Sequence, residues 1–133
     1  MKSLLTALLL LPLSLNVLAS GEYEEKAVQH MKLADVTSAA EAKKVFLETT
    51  ADIKSKKKLD ATELHEIHYI TYSLEKSVAY YAENLKGDKQ KLAKEMAEVV
   101  EYIHINSENN RPTITKKYLN QYFELASKFS ATL

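Results

Sequence analysis

The pattern of apolar and polar residues along the chain predicts four consecutive helices. Apolar residues recur at three- and four-residue spacing, which is the period of an amphipathic helix. The predicted helices cover about 39–57, 61–86, 89–107 and 113–131. Because the connections between them are short, neighbouring helices should run antiparallel in an all-α, up-down four-helix bundle. Only two glycines and two prolines occur in 133 residues, which also disfavours an all-β fold.

Capping motifs mark the expected helix boundaries. In each of two capping boxes, a polar side chain accepts a hydrogen bond from a free backbone N–H, and a glutamate three residues later reaches back. These boxes are Ser38 with Glu41 and Asp60 with Glu63. Gly87 is expected to end the second helix as a left-handed cap, and Asp88 is expected to begin the third helix.

Residues 1–19 have the pattern of a secretory signal peptide. Lys2 precedes a run of apolar residues, and Val17 and Ala19 satisfy the small-residue rule before a cleavage site. The run is shorter than the roughly 20 residues that a membrane span needs. We therefore predict cleavage after Ala19. The remaining domain, residues 20–133, should be periplasmic or secreted, without stable membrane insertion.

The segment between the signal peptide and the first helix, residues 21–36, carries a weaker pattern. Tyr23, Ala27, Val28 and Met31 allow a short helix with one apolar side. An extended N-terminal arm lying on the bundle fits the same residues equally well. The sequence therefore leaves the conformation of this segment open.

Charge and cysteine content exclude several kinds of partner and chemistry. The 18 basic and 18 acidic residues balance, and the basic residues do not collect on one face, so we predict no nucleic-acid binding. The absence of cysteine excludes thiol chemistry and covalent attachment of a c-type haem. The sequence has no nucleophile elbow and no glycine-rich oxyanion loop, so we predict that the protein is not an enzyme.

Polar side chains lie along the margin of the apolar stripe on the second predicted helix. With about 100° between successive residues, His68 and Glu75 fall close to the line of Leu64, and Thr71 lies between them. Tyr72 follows His68 by one helical turn. This line of polar residues should therefore lie inside the bundle or at its edge.

Two interpretations of this polar line stay open. Imidazole and carboxylate groups suit a transition metal such as Zn, Cu, Ni or Fe. Alternatively, the line is a buried hydrogen-bond network that fixes helix register, in which Glu75 needs a partner because an unpaired buried carboxylate is costly. The same helical projection turns His65 and Tyr69 outward, so neither is a candidate for the site.

The third predicted helix contains an E-x-x-H pair, Glu101 and His104, which is followed by Ser107 and Glu108. Carboxylate-bridged di-metal bundles use this spacing because residues three apart share a helix face. Only one such pair occurs here, so a solvated helix face is the alternative. The candidate metal ligands are His68, Glu75, His104 and Glu108. The supporting polar network comprises Thr71, Tyr72, Glu101 and Ser107.

Two blocks within these helices resemble a known family. Residues 66–78, EIHYITYSLEKSV, resemble a block of the form IHxxTYxLE, and residues 101–108, EYIHINSE, resemble a block of the form ExxHxxSE. Together, and behind a signal peptide, they are similar to a family of small exported bacterial helical proteins classed as a domain of unknown function. The resemblance implies a size, a fold and export, and it brings no activity.

A looser resemblance is to the periplasmic b-type four-helix-bundle cytochromes. Those proteins bind haem through a methionine near the N-terminus and a histidine near the end of the bundle, and Met31 and His104 are the counterparts here. A likeness of fold does not by itself imply function. Haem b is therefore a further alternative to a metal ion.

The sequence supports two main hypotheses for function. The first is a non-enzymatic, exported binding or accessory protein with a metal site between the second and third helices. The second is a structural or protein-interaction module, in which the same residues form an internal polar network and bind no ligand. The identity of a protein partner and the oligomeric state are not encoded in any motif.

Overall fold

The structure, a computed structural model, describes residues 31–133, and these residues form four α-helices and no β-strand. Helix α1 spans Ala39–Ser55, α2 spans Ala61–Asn84, α3 spans Gly87–Glu108 and α4 spans Pro112–Ser130. Helix α2 packs against α1 and α3, and α3 packs against α4, as expected for consecutive helices of a bundle. The predicted all-α four-helix fold is therefore confirmed.

Only the end of the predicted N-terminal arm falls within the described residues. The predicted signal peptide, the predicted cleavage site after Ala19 and the predicted arm as far as His30 lie outside them. Residues 31–38 precede α1 without forming a helix. Lys76 Nζ on α2 donates to Asp35 Oδ1 at 2.6 Å, which ties this segment to the bundle. None of the described helices is both long and apolar enough to cross a membrane.

The first two helices begin with the side-chain caps that the sequence predicts. Ser38 Oγ accepts a hydrogen bond from the backbone N–H of Glu41 at 3.2 Å. Glu41 Oε2 in turn accepts from the backbone N–H of Thr37 at 3.1 Å. At the start of α2, Asp60 Oδ1 accepts from the backbone N–H of Glu63 at 3.0 Å. These bonds satisfy donors that the first turn of a helix leaves free.

The turn before α2 holds a leucine in the left-handed region of the backbone. Leu59 has a φ of 52°, and its side chain packs partly buried against the core. The backbone N–H groups of Leu59 and Lys58 both donate to Glu63 Oε2, at 2.7 and 2.6 Å. These bonds, that of Leu59 foremost, lower the pKa of the Glu63 carboxyl. Glu63 therefore stabilises a turn that leucine would otherwise avoid.

The prediction that Asp88 begins α3 is wrong. Helix α3 begins at Gly87, the preceding cap position is Lys86, and no side chain there caps the helix. Asp88 lies in the first turn, where its charge still complements the helix dipole. Gly87 does adopt the predicted left-handed backbone, with a φ of 61°, but it does not end α2, whose last residue is Asn84 and whose cap is Leu85. A β-carbon built on Gly87 would meet nothing within 4 Å, so the backbone angle, and not space, favours glycine.

Aromatic side chains pack together in the core between the first and last helices. The Phe46 ring of α1 packs edge-to-face on Phe129 of α4, with centroids 5.5 Å apart. Tyr81 of α2 packs edge-to-face on both, with centroids 6.3 Å from Phe46 and 4.8 Å from Phe129. Such pairs contribute about 0.5–1.5 kcal/mol each beyond the area that they bury. Thr50 and Tyr122 add a hydrogen bond of 2.5 Å between α1 and α4.

Candidate functional site

The second and third helices bring two buried histidines side by side. His68 on α2 and His104 on α3 have ring centroids 4.7 Å apart, with the rings tilted by 57°. Their exposed fractions are 8% and 3%. Each histidine follows a fully buried isoleucine, Ile67 or Ile103, so the apolar stripes of the two helices carry both rings into the interface.

The Nδ1 atom of His104 is held by two residues of α2. It lies 3.0 Å from Thr71 Oγ1 and 2.8 Å from Glu75 Oε1. The single hydroxyl proton of Thr71 is donated to the His68 carbonyl oxygen at 2.6 Å. Thr71 Oγ1 must therefore accept from His104, and this hydrogen bonding assigns a proton to His104 Nδ1. The same nitrogen lies at ion-pair distance from the Glu75 carboxylate.

Opposing effects act on the protonation of His104. Burial lowers its pKa, because a charged imidazole loses hydration inside the protein. The hydrogen bond to Glu75 and the charges of Glu75, Glu101 and Glu108 raise it. The carboxylates outweigh burial, so the pKa of His104 lies above its ordinary value of 6.5. The site therefore favours a positively charged imidazole facing a carboxylate across the two helices.

A tyrosine completes the buried network on the α2 side. His68 Nε2 and the Tyr72 hydroxyl share a hydrogen bond of 3.0 Å. The Tyr72 ring also meets the His104 ring edge-on, with centroids 4.8 Å apart. We call His68, Thr71, Tyr72, Glu75 and His104 the α2–α3 network. Its members come from both sequence blocks that carry the family resemblance, as the sequence predicts.

The remaining predicted residues flank this network. Ser107 is buried, and its hydroxyl donates to the His104 carbonyl oxygen at 3.0 Å. Glu108 lies one turn beyond His104 and is partly buried; its Oε1 has no hydrogen-bond partner among the described residues. Glu101 is exposed and acts on His104 through its charge. The structure thus brings together the candidate residues except Glu101, which faces solvent.

The metal prediction stays a prediction. Within residues 31–133, no group of three or more histidine, aspartate or glutamate side chains is arranged to hold a metal ion. The same holds for haem b. Met31, one counterpart of a haem ligand, is 44% exposed, whereas His104, the other, is bonded to Thr71 and Glu75.

Sequence reasoning missed the aromatic cover over His68. Tyr69 is 49% exposed, as its outward projection predicts, yet its ring stacks on His68 with an interplanar angle of 17°. His65 in turn packs edge-on against Tyr69, with centroids 4.7 Å apart. The cluster of two histidines and two tyrosines within residues 65–72 was the available signal, because a large ring reaches well beyond its own helix face.

The described residues form an all-helical bundle with an internal network of histidine, threonine and glutamate side chains. These two features define its structural class. The chain belongs to the family of unknown function DUF6746, whose family model matches residues 1–131. The predicted resemblance to a domain of unknown function is therefore confirmed. No curated protein and no solved structure matches the chain.

Proposed function

We propose that this chain is an exported, non-enzymatic protein-interaction module whose α2–α3 network is a structural element. The observation that carries the proposal is His104, which is 3% exposed on α3 and bonded to Thr71 and Glu75 on α2. A polar network of this kind holds two helices in one register, because any shift would leave buried polar groups without partners. The exposed faces of the bundle then remain for a protein partner.

The bonds made by one nitrogen of each buried histidine support a structural role. A metal ion needs a free lone pair on an imidazole nitrogen. His68 Nε2 is bonded to Tyr72, and His104 Nδ1 donates to Thr71 and forms an ion pair with Glu75. Binding a metal ion through these atoms would break both sets of bonds.

The surface clefts support a non-enzymatic role. Three clefts in the described part of the chain are lined by residues of α3 and α4, of α1 and α2, and of the arm and α2. None of these three is lined by His68, Glu75 or His104. A general base must come within about 2.6–3.2 Å of the proton that it removes, which a buried imidazole does not achieve from such clefts.

Purified protein tests this proposal directly. The full chain should be expressed with its N-terminus intact, recovered from the periplasmic fraction and subjected to elemental analysis, absorption spectroscopy and intact mass measurement. We expect a chain that begins at Ser20, no stoichiometric metal and no Soret band. Added Cu, Zn, Ni or haemin should leave the melting temperature unchanged.

Two results would overturn different parts of the proposal. Stoichiometric metal or haem that disappears in a His104→Gln variant would replace the structural role with a ligand site. A cytoplasmic protein that retains residues 1–19 would remove export and leave the network as described.

A further inference from the structure

A surface groove of about 370 Å³ runs between α3 and α4. Its apolar lining includes Val99, Leu125 and the rings of Tyr102 and Tyr118. No member of the α2–α3 network lines it. A groove with this volume is large enough for ligand side chains, since ligand sites begin at about 300 Å³.

Two stacked tyrosines form the end of the groove nearer the connection between α3 and α4. The rings of Tyr102 and Tyr118 lie 4.7 Å apart with an interplanar angle of 18°, and Tyr102 is 39% exposed. Tyrosine supplies a large contact area at a low cost in side-chain entropy, which is why it is enriched where proteins bind each other. Lys117 Nζ lies 5.4 Å from the centroid of the Tyr118 ring, so this pair already attracts a cation.

The charged side chains that line the groove are three carboxylates. Glu95 and Glu98 of α3 and Glu124 of α4 line it and are exposed. Within residues 31–133, the ion pairs involve other residues, and none of these three glutamates is paired with a cation. Like charges gathered in one groove create a negative potential that attracts a positively charged partner.

The groove has glutamates toward one end and the tyrosine pair at the other. Because the connection between α3 and α4 is short, the two helices run antiparallel, and residues 95–98 lie opposite residues 121–125. Outside the groove, beyond the tyrosine pair and nearer the connection, Ile105 and Ile114 are 38% and 43% exposed. Glu95 and Ile105 are separated by about 15 Å at 1.5 Å per helical residue.

We propose that this groove binds a basic amphipathic helix of another protein. Lysine or arginine side chains would face Glu95, Glu98 and Glu124, and apolar side chains would pack on the two tyrosines. The exposed carboxylates and the tyrosine surface suit the basic and apolar side chains of such a helix, and a helix that lies in a groove is a common mode of peptide recognition. This inference rests on the proposed interaction role and names the surface and the partner chemistry.

Charge argues against two other occupants. Residues 20–30 of this chain include Glu22, Glu24 and Glu25, so this segment carries the same sign of charge as the groove. The headgroups of an anionic membrane would be repelled for the same reason. A basic protein segment is the occupant that the charge of the groove favours.

Peptide binding to the mature chain tests the inference. The probes are labelled peptides of about 11 residues, long enough to span the groove at 1.5 Å per residue. One is a lysine–leucine amphipathic helix, the second is its scrambled counterpart, and the third replaces lysine with glutamate. Fluorescence anisotropy measures affinity, and tyrosine chemical shifts in NMR spectra locate the bound peptide.

Charge reversal of the groove gives the decisive comparison. The double variant Glu98→Lys/Glu124→Lys should bind the lysine–leucine peptide with an affinity about fivefold or more lower than that of the wild type, because exposed charge pairs each contribute about 0.2–1 kcal/mol. Tyr102→Ala, a second groove variant, should weaken it as well. Glu83→Lys reverses an exposed charge on α2 outside the groove and should bind as the wild type does.

Several results would overturn the inference. These are no binding of the lysine–leucine peptide at millimolar concentration, equal binding of the scrambled or glutamate peptide, and equal binding by the groove variants. Self-association of the chain through Tyr102 and Tyr118 would make a second copy the occupant instead. Metal content is measured separately, so a metal-bearing protein that still binds the peptide would overturn the proposed structural network and spare the groove.

Discussion

The Nδ1 atom of His104 on α3 lies 2.8 Å from Oε1 of Glu75 on α2. The histidine side chain is 3% exposed, whereas that of the glutamate is 30% exposed. The imidazole is therefore shielded, while the carboxylate keeps part of its hydration, which reduces the desolvation cost of pairing the two charges. This contact joins the two helices that carry both blocks of the family resemblance.

Removing the Thr71 hydroxyl should destabilise the fold. Thr71 is fully buried, and its hydroxyl joins the His68 carbonyl oxygen to His104 Nδ1. Thr71→Val keeps the shape of the side chain but removes one hydrogen-bond partner from each of these two groups. The free energy of unfolding should therefore fall by about 1–3 kcal/mol. Thr62→Val, at an exposed position of the same helix, is the control. Equal urea midpoints for the two variants would contradict the network.

Stability should fall as the pH rises through the pKa of His104. That pKa is raised above 6.5 in the folded protein: burial lowers it, but the hydrogen bond to Glu75 and nearby carboxylates outweigh burial. The folded state therefore binds a proton more tightly than the unfolded chain does. The resulting stabilisation is complete below about pH 6.5 and is lost above the folded pKa.

Urea unfolding from about pH 5 to about pH 9 measures this linkage. The difference in unfolding free energy between wild type and His104→Gln should shrink as the pH rises. A difference that stays constant, or that grows with pH, would show that His104 is neutral in the folded protein.

Two buried tyrosines should respond in opposite ways to loss of the hydroxyl. Tyr81 is 3% exposed, and its hydroxyl has no hydrogen-bond partner among the described residues. Burial raises the pKa of Tyr81, in keeping with its apolar surroundings. Tyr81→Phe should therefore raise the unfolding free energy, because an unsatisfied buried group costs about 1–3 kcal/mol.

The matched variant is Tyr122→Phe, which breaks the 2.5 Å hydrogen bond to Thr50. It should lower the unfolding free energy by about 0.5–1.5 kcal/mol. Thermal unfolding of both variants decides the matter. If Tyr81→Phe destabilised as much as Tyr122→Phe, the Tyr81 hydroxyl would have a partner in solution.

Replacing Gly87 should destabilise through the backbone alone. Its φ of 61° costs an ordinary residue about 1–2 kcal/mol, partly offset by the lower entropy of the unfolded chain. Since a β-carbon meets nothing within 4 Å, packing adds no further cost. Gly87→Ala should lower the melting temperature more than Gly87→Asn, because asparagine tolerates this conformation. The reverse order would indicate that space, and not the backbone angle, selects glycine.

The helices and their first caps could be predicted because they depend on local sequence. Ser38 and Asp60 cap the helices that their capping boxes indicate. Asp88 did not cap α3, because Gly87 enters the helix with a left-handed backbone and moves the cap position to Lys86. A residue's preference for the cap position does not determine at which residue the helix begins.

The α2–α3 network could be predicted in part for a similar reason. Helical periodicity places His68, Thr71 and Glu75 on one line, and the spacing of the second block points to His104 as their counterpart. Periodicity on one helix does not fix its rotation against the next. The pairing of Tyr102 on α3 with Tyr118 on α4 depends on that rotation, so the sequence did not indicate it.

A double-mutant cycle between Glu75 and His104 tests the central claim most directly. Unfolding free energies of wild type, Glu75→Gln, His104→Gln and the double variant give the coupling between the two side chains without the cost of either change alone. At a pH below the pKa of His104, we expect a favourable coupling of about 1 kcal/mol or more, within the range seen for residues in contact. A coupling of zero, with both single variants as stable as wild type, would contradict the structural network.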